Sequence, residues 1–119
     1  MSWLSKLTGG GSKTTAIVGG KEIPRPSAPP KIVVDHHEYT PEEFIIGSFR
    51  VRPYDGDLIA KQQFDFRIVF ALGEDQVDFI CRGLVIKSDA QAGLVARYSR
   101  PQPFYERKLI DYLRAWKGV

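Results

Sequence analysis

One cysteine stands in the 119 residues, Cys81, so the chain closes no intrachain disulfide and gives no sign of an oxidising compartment. Cys81 lies inside an apolar, strand-like run, which suits a buried inert thiol better than a reactive one. Long apolar runs are missing too: none approaches the roughly 18–20 residues that cross a bilayer. Met1–Leu7 lacks the apolar core and cleavage site of a signal peptide. These absences predict a cytoplasmic protein with no transmembrane segment.

Net charge is absent from most of the chain. The formal +3 is carried by residues 1–30, where Lys6, Lys13, Lys21 and Arg25 face Glu22 alone. Residues 31–119 hold thirteen basic and thirteen acidic groups. A nucleic-acid binder needs basic residues interleaved with exposed aromatics, and a neutral globular part argues against that partner. Histidine is scarce: only His36 and His37 occur, and adjacent side chains on a strand face opposite ways, so the two do not share a metal easily. No serine or cysteine has a base beside it in a recognisable arrangement. The expectation is a non-enzyme with no metal and no cofactor.

What the chain does have is alternation. In Gln63-Phe64-Asp65-Phe66-Arg67-Ile68-Val69-Phe70, residues Phe64, Phe66, Ile68 and Phe70 point one way and Gln63, Asp65 and Arg67 the other. That is a strand with one apolar and one wet face, from an antiparallel sheet covered on one side. Lys31–Asp35 is β-branched and suits a first strand. Glu42–Pro53 reads as one strand with Gly47 as a bulge or close approach. Leu58–Lys61 is a further short candidate. Val77–Lys87 is a long strand bent at Gly83, and Leu94–Tyr98 follows after a hairpin. Past Pro101 and Pro103, residues Tyr105, Leu109, Tyr112, Leu113 and Trp116 recur on one helical face through Lys117. Five or six strands in so short a stretch close most economically as a small barrel.

Residues 1–30 read as a flexible, basic, Gly/Pro-rich tail, leaving 31–119 as the domain. Trp3, Leu4 and Leu7 share a helical spacing, but one short turn is marginal alone. Gly9-Gly10-Gly11-Ser12-Lys13-Thr14 superficially suggests a phosphate loop. It lacks the Gly-Lys-Ser/Thr order, the preceding strand and the following helix, and is rejected as an ATP site. Pro24–Pro30 reads as an extended spacer.

Over residues 32–116 the order of pieces resembles the PilZ family, small six-stranded barrels that bacteria use as cyclic di-GMP receptors. The pieces are Glu43-Phe44-Ile45-Ile46-Gly47-Ser48-Phe49-Arg50-Val51, Phe64-Asp65-Phe66-Arg67-Ile68, Arg82-Gly83-Leu84-Val85-Ile86, and Gly93-Leu94-Val95-Ala96-Arg97-Tyr98 before the helix. The resemblance implies an all-β fold with a C-terminal helix: an antiparallel six-stranded PilZ-like barrel. It also implies two ligand motifs, an Arg-x-x-x-Arg ahead of the barrel and an Asp/Asn-x-Ser-x-Gly-Gly type motif on the second strand. Arginine forks grip phosphate or a guanine edge with paired hydrogen bonds.

Both motifs are altered. Lys21-Glu22-Ile23-Pro24-Arg25 keeps the first spacing with Lys21 as a point charge in place of a planar fork. In the second, Glu43 replaces Asp or Asn, Ile45 replaces serine and Ser48 replaces the last glycine, while Gly47 survives. The candidate ligand residues are Lys21, Arg25, Glu43, Gly47, Ser48, Arg50 and Arg52. The expected role is a PilZ-like signalling adaptor in a cyclic di-GMP pathway that contacts a protein partner, with direct nucleotide binding weak or lost. The alternative is a cyclic di-GMP receptor working through Arg25, Arg50 or Arg52.

Overall fold

A computed structural model describes residues 15–118. Strand accounts for 51% of them and one helix closes the chain, so the protein is all-β with a C-terminal helix. Nine strands run in order: β1 (Thr15–Val18), β2 (Lys21–Pro24), β3 (Lys31–Val34), β4 (His37–Tyr39), β5 (Glu43–Ile45), β6 (Ser48–Val51), β7 (Gln63–Leu72), β8 (Asp75–Asp89) and β9 (Gly93–Tyr98). Helix α1 spans Pro103–Lys117. Seven strands form one antiparallel sheet in the order β4-β3-β7-β8-β9-β6-β5, curled into a half-barrel.

The sheet is built on the β7–β8 hairpin, whose ladder runs from Gln63↔Leu84 to Leu72↔Asp75. The alternation in β7 sorts the side chains as expected: Phe64, Phe66, Ile68, Phe70 and Leu72 are buried, with exposed residues between most of them. β8 answers with Val77, Phe79, Cys81 and Val85 inside. The β7–β8 ladder is unbroken at Gly83. This glycine is buried opposite Phe64, and a Cβ there would lie 2.8 Å from the Phe64 ring. Phe66 is enclosed by aromatic rings, with Phe49, Phe64 and Tyr98 centred 5.1, 5.4 and 5.7 Å away. Burial pushes the Cys81 thiol up to about 11, which keeps it protonated and inert at neutral pH.

The strand count departs from six because two readings merged or missed hairpins. Glu42–Pro53 is two strands: Ile45↔Ser48 closes a two-residue turn at Ile46-Gly47, and Gly47 has φ +98°, which glycine alone adopts readily. After β3, Asp35 and His36 both take positive φ, the pattern of a type I′ turn, and lead straight into β4. Leu58–Lys61 is no strand. It belongs to the loop of residues 52–62, which buries Leu58 and joins β8 through Lys61 N–H to Val85 O at 2.7 Å and Val85 N–H to Gln62 O at 2.9 Å. That loop also lies against the β4 edge. The Tyr39 and Tyr54 rings are 5.6 Å apart and Tyr39 donates to Asp55 Oδ1 at 2.9 Å. The β4 edge is thus covered by this loop through side chains, and the end strands β4 and β5 share no ladder of the kind a closed barrel would have.

The tail expectation is corrected for its described part. Residues 15–24 form a hairpin, Val18↔Lys21 closing over Gly19-Gly20, a glycine pair that supplies both positive φ values of a tight turn. It packs on the domain: Ile23 is buried in the core, and Ala16 and Val18 lie against it. The spacer is anchored as well, since Pro30 is fully buried and Tyr112 Oη donates to Ala28 O at 2.8 Å. Trp3, Leu4, Leu7 and the Gly9–Thr14 stretch lie outside the described residues. α1 starts at Pro103 and buries Leu109, Tyr112 and Leu113, as its periodicity predicts.

Phe66→Ala removes the ring at the centre of this aromatic group and is expected to cost about 3–5 kcal/mol, the range for large aromatics deleted from cores. Urea unfolding measures it. A loss below about 1 kcal/mol is incompatible with the packing around Phe66.

Candidate functional site

The outer face of β8, β9, β6 and β5 carries the altered second motif. Residues directly opposite in an antiparallel sheet share a face. One row across the four strands is therefore Leu84, Arg97, Ser48 and Ile45. The next is Lys87, Val95, Arg50 and Glu43. A register shift between Val85 and Lys87 leaves Ile86 and Lys87 both exposed, as a bulge does when it adds an unpaired residue. Beside these rows a depression of about 220 Å³ is lined by Gln63, Arg82, Leu84, Arg97 and Ser99.

The chain's candidates divide into three places. Glu43, Gly47, Ser48 and Arg50 share the β5–β6 hairpin, and Tyr98 fixes its turn by donating its hydroxyl to Ile45 O and its N–H to Gly47 O, both at 3.0 Å. Burial pushes the Tyr98 phenol well above its ordinary range, so it stays a donor. Arg50 reaches Glu43 at 3.8 Å, while its Nε is buried with no acceptor. Arg52 is not free for a ligand. Its fork donates to Glu42 at 2.8 and 2.6 Å, and its third nitrogen to Gln91 O at 3.0 Å. The Arg52 hydrogen bond holds the Glu42 carboxyl below the usual range.

Lys21 and Arg25 lie elsewhere. Lys21 lines a cavity of about 650 Å³ between the β1–β2 hairpin, the β7–β8 turn and α1, with Asp75 and Lys108 on its wall. Asp75 and Leu84 are nine steps apart on β8, which at about 3.3 Å per step is roughly 30 Å of strand. Arg25 is not an idle linker arginine: its guanidinium sits against Gly118 at the C-terminal end of α1. The cavity holding Lys21 and the row holding Ser48 are separate places.

Arg97 was not among the sequence candidates, although its signal was present. Leu94, Ala96 and Tyr98 alternate inward, so Arg97 must face out beside Ser48. It has no acidic partner among the described residues, whereas Arg82 is held by Asp65 at 2.6 Å and Arg67 by Asp78 at 2.9 Å. Ile45 is 54% exposed, so it crowds no enclosed base site and instead presents apolar surface. His36 and His37 are exposed at the β3–β4 turn. Among the described residues no group of three or more His, Cys, Asp or Glu is placed to hold a metal, and no helix is long and apolar enough to cross a membrane. No protein-family model, curated protein or solved structure matches the chain.

The tyrosine contact between β4 and the loop of residues 52–62 has a pH signature. Burial first, then the hydrogen bond to Asp55, push the Tyr39 phenol up to about 12 from 10.0. A raised folded-state value means the stabilisation is complete below pH 10 and is lost as pH rises toward 12. Urea midpoints should fall across that window in the wild type, and less steeply in Tyr39→Phe. Equal slopes in the two proteins count against the Tyr39–Asp55 contact.

Proposed function

We propose that the chain is a PilZ-like signalling adaptor in a cyclic di-GMP pathway, acting through protein contact at the outer face of β8, β9, β6 and β5, with direct nucleotide binding weak or lost. The observation that carries this reading is the separation of the two motifs. The Lys21 half borders Asp75, the Ser48 half lies in the row of Leu84, and roughly 30 Å of strand stands between them. A nucleotide gripped from one side only loses charge-assisted hydrogen bonds worth about 1.5–3 kcal/mol each. Two such losses amount to a factor of a hundred or more in affinity, since about 1.4 kcal/mol is tenfold. Ile45, Leu84 and Ile86, all exposed, supply apolar area of the kind that protein contacts bury.

A second reading has its own support. Arg97, Ser48 and the half-paired Arg50 are adjacent around the Gly47 turn, so a variant receptor would bind there. Calorimetric titration with cyclic di-GMP separates the two. The adaptor reading expects no heat of binding at micromolar nucleotide. Micromolar binding that is abolished by Arg97→Ala, with an unchanged melting temperature, replaces it with the receptor.

A further inference from the structure

β8 is polarised along its length. At its start, Glu74 of the β7–β8 turn and Asp75 and Asp78 of the strand border a groove of about 580 Å³ between β8 and α1, with Lys108 as the groove's one basic side chain. Phe104 and Tyr105 form the apolar wall of that groove, and Phe104 is 66% exposed. Lys108 is already engaged by Asp75 at 3.2 Å and Asp78 by Arg67, while Glu74 has no cationic partner among the described residues. Toward the other end of the strand the signs reverse, short of its last residue Asp89, whose carboxylate accepts from the Gln91 and Ala92 N–H groups of the following turn. Lys87, Arg97 and Arg50 stand with Glu43 as the acid of their rows, beside exposed Leu84 and Ile86. One end is an acidic, aromatic-walled recess; the other is a basic, aliphatic face.

We infer that the chain associates with a second copy of itself head to tail, the basic Leu84–Arg97 face of one copy seating in the acidic Phe104 groove of the next. The inference stands on the exposed side chains and their charges and does not depend on the signalling reading. Complementary charge selects the partner surface and suppresses the wrong one. The aliphatic side chains of one face and the Phe104 ring of the other then leave water together. The two surfaces differ, so the contact is heterologous: a pair leaves one face and one groove unused, and association is open-ended unless a ring closes. A protein interface of ordinary size takes about 800 Å² from each partner. That is about a tenth of this chain's 7568 Å², which leaves room for both surfaces on one copy.

The test is sedimentation equilibrium of the full chain at low ionic strength. The weight-average mass should climb above the 13.4 kDa of one copy as concentration rises, passing that of two copies. It should fall back in about 1 M salt, where charges are screened beyond about 3 Å. Arg97→Glu spoils the basic face and Glu74→Lys the groove, and each variant alone should sediment as one copy. Mixed in equal amounts they should associate again, because one variant retains the groove and the other the face. Lys87→Glu serves as a second variant of the basic face. Both positions are exposed, and unchanged melting temperatures verify the fold. A chain that remains 13.4 kDa at every concentration overturns the inference, as does a mixture of the variants that fails to dimerise. Self-association that survives Glu74→Lys overturns it too, pointing to a symmetric contact of the basic face. None of these results bears on nucleotide binding, which the titration decides separately.

Discussion

The antiparallel pairing of β7 with β8 is the constraint on which the rest of the molecule depends. It brings Phe64 and Phe66 opposite Gly83 and Cys81, where small partners leave room for the rings. It carries β3 on one side and β9 on the other, and so sets the order of every strand beyond them. Pairing in an antiparallel sheet is strict about face, because a slip of one residue would turn all five buried β7 side chains to solvent. The two ion pairs on the wet side, Arg82–Asp65 and Arg67–Asp78, link β7 to β8 in the same register. Exposed pairs of this kind add little energy. Their contribution is agreement with the register that burial already demands.

Features legible from the chain alone were those with a strong period. Phe64 to Phe70 announced both a strand and its buried face, and Leu109, Tyr112 and Leu113 announced the helix and its buried stripe. Hairpins with short strands were harder. Thr15–Val18 and Lys21–Pro24 are four residues each, flanked by glycine and proline that weight any local reading toward loop. Only docking of Ile23 against the core decides otherwise. The Asp35-His36 turn lacks the Asn-Gly or Asp-Gly signature that marks a tight hairpin, so β4 gave no warning.

For the site, chain order misled more than composition did. Lys21 and Arg25 stand four residues apart, and one side chain borders the β7–β8 turn while the other meets the end of α1. Arg97 lies forty-nine positions from Ser48 in sequence and directly across from it in the sheet. Neighbourhood of that kind comes from register, which periodicity alone does not disclose. Arg52 shows the converse: it looks available in sequence, but Glu42 and the Gln91 carbonyl already occupy its donors.

The position of the β1–β2 hairpin bears on how the domain can be tethered. Thr15 pairs with Pro24, and the next residue, Arg25, lays its guanidinium against Gly118. The described chain therefore enters and leaves its fold at one pole. A group attached at Thr15 and another attached at Gly118 would therefore be neighbours. The β5–β6 turn, by contrast, belongs to neither end of the described chain, so neither attachment point interrupts the row of Ser48 and Arg97.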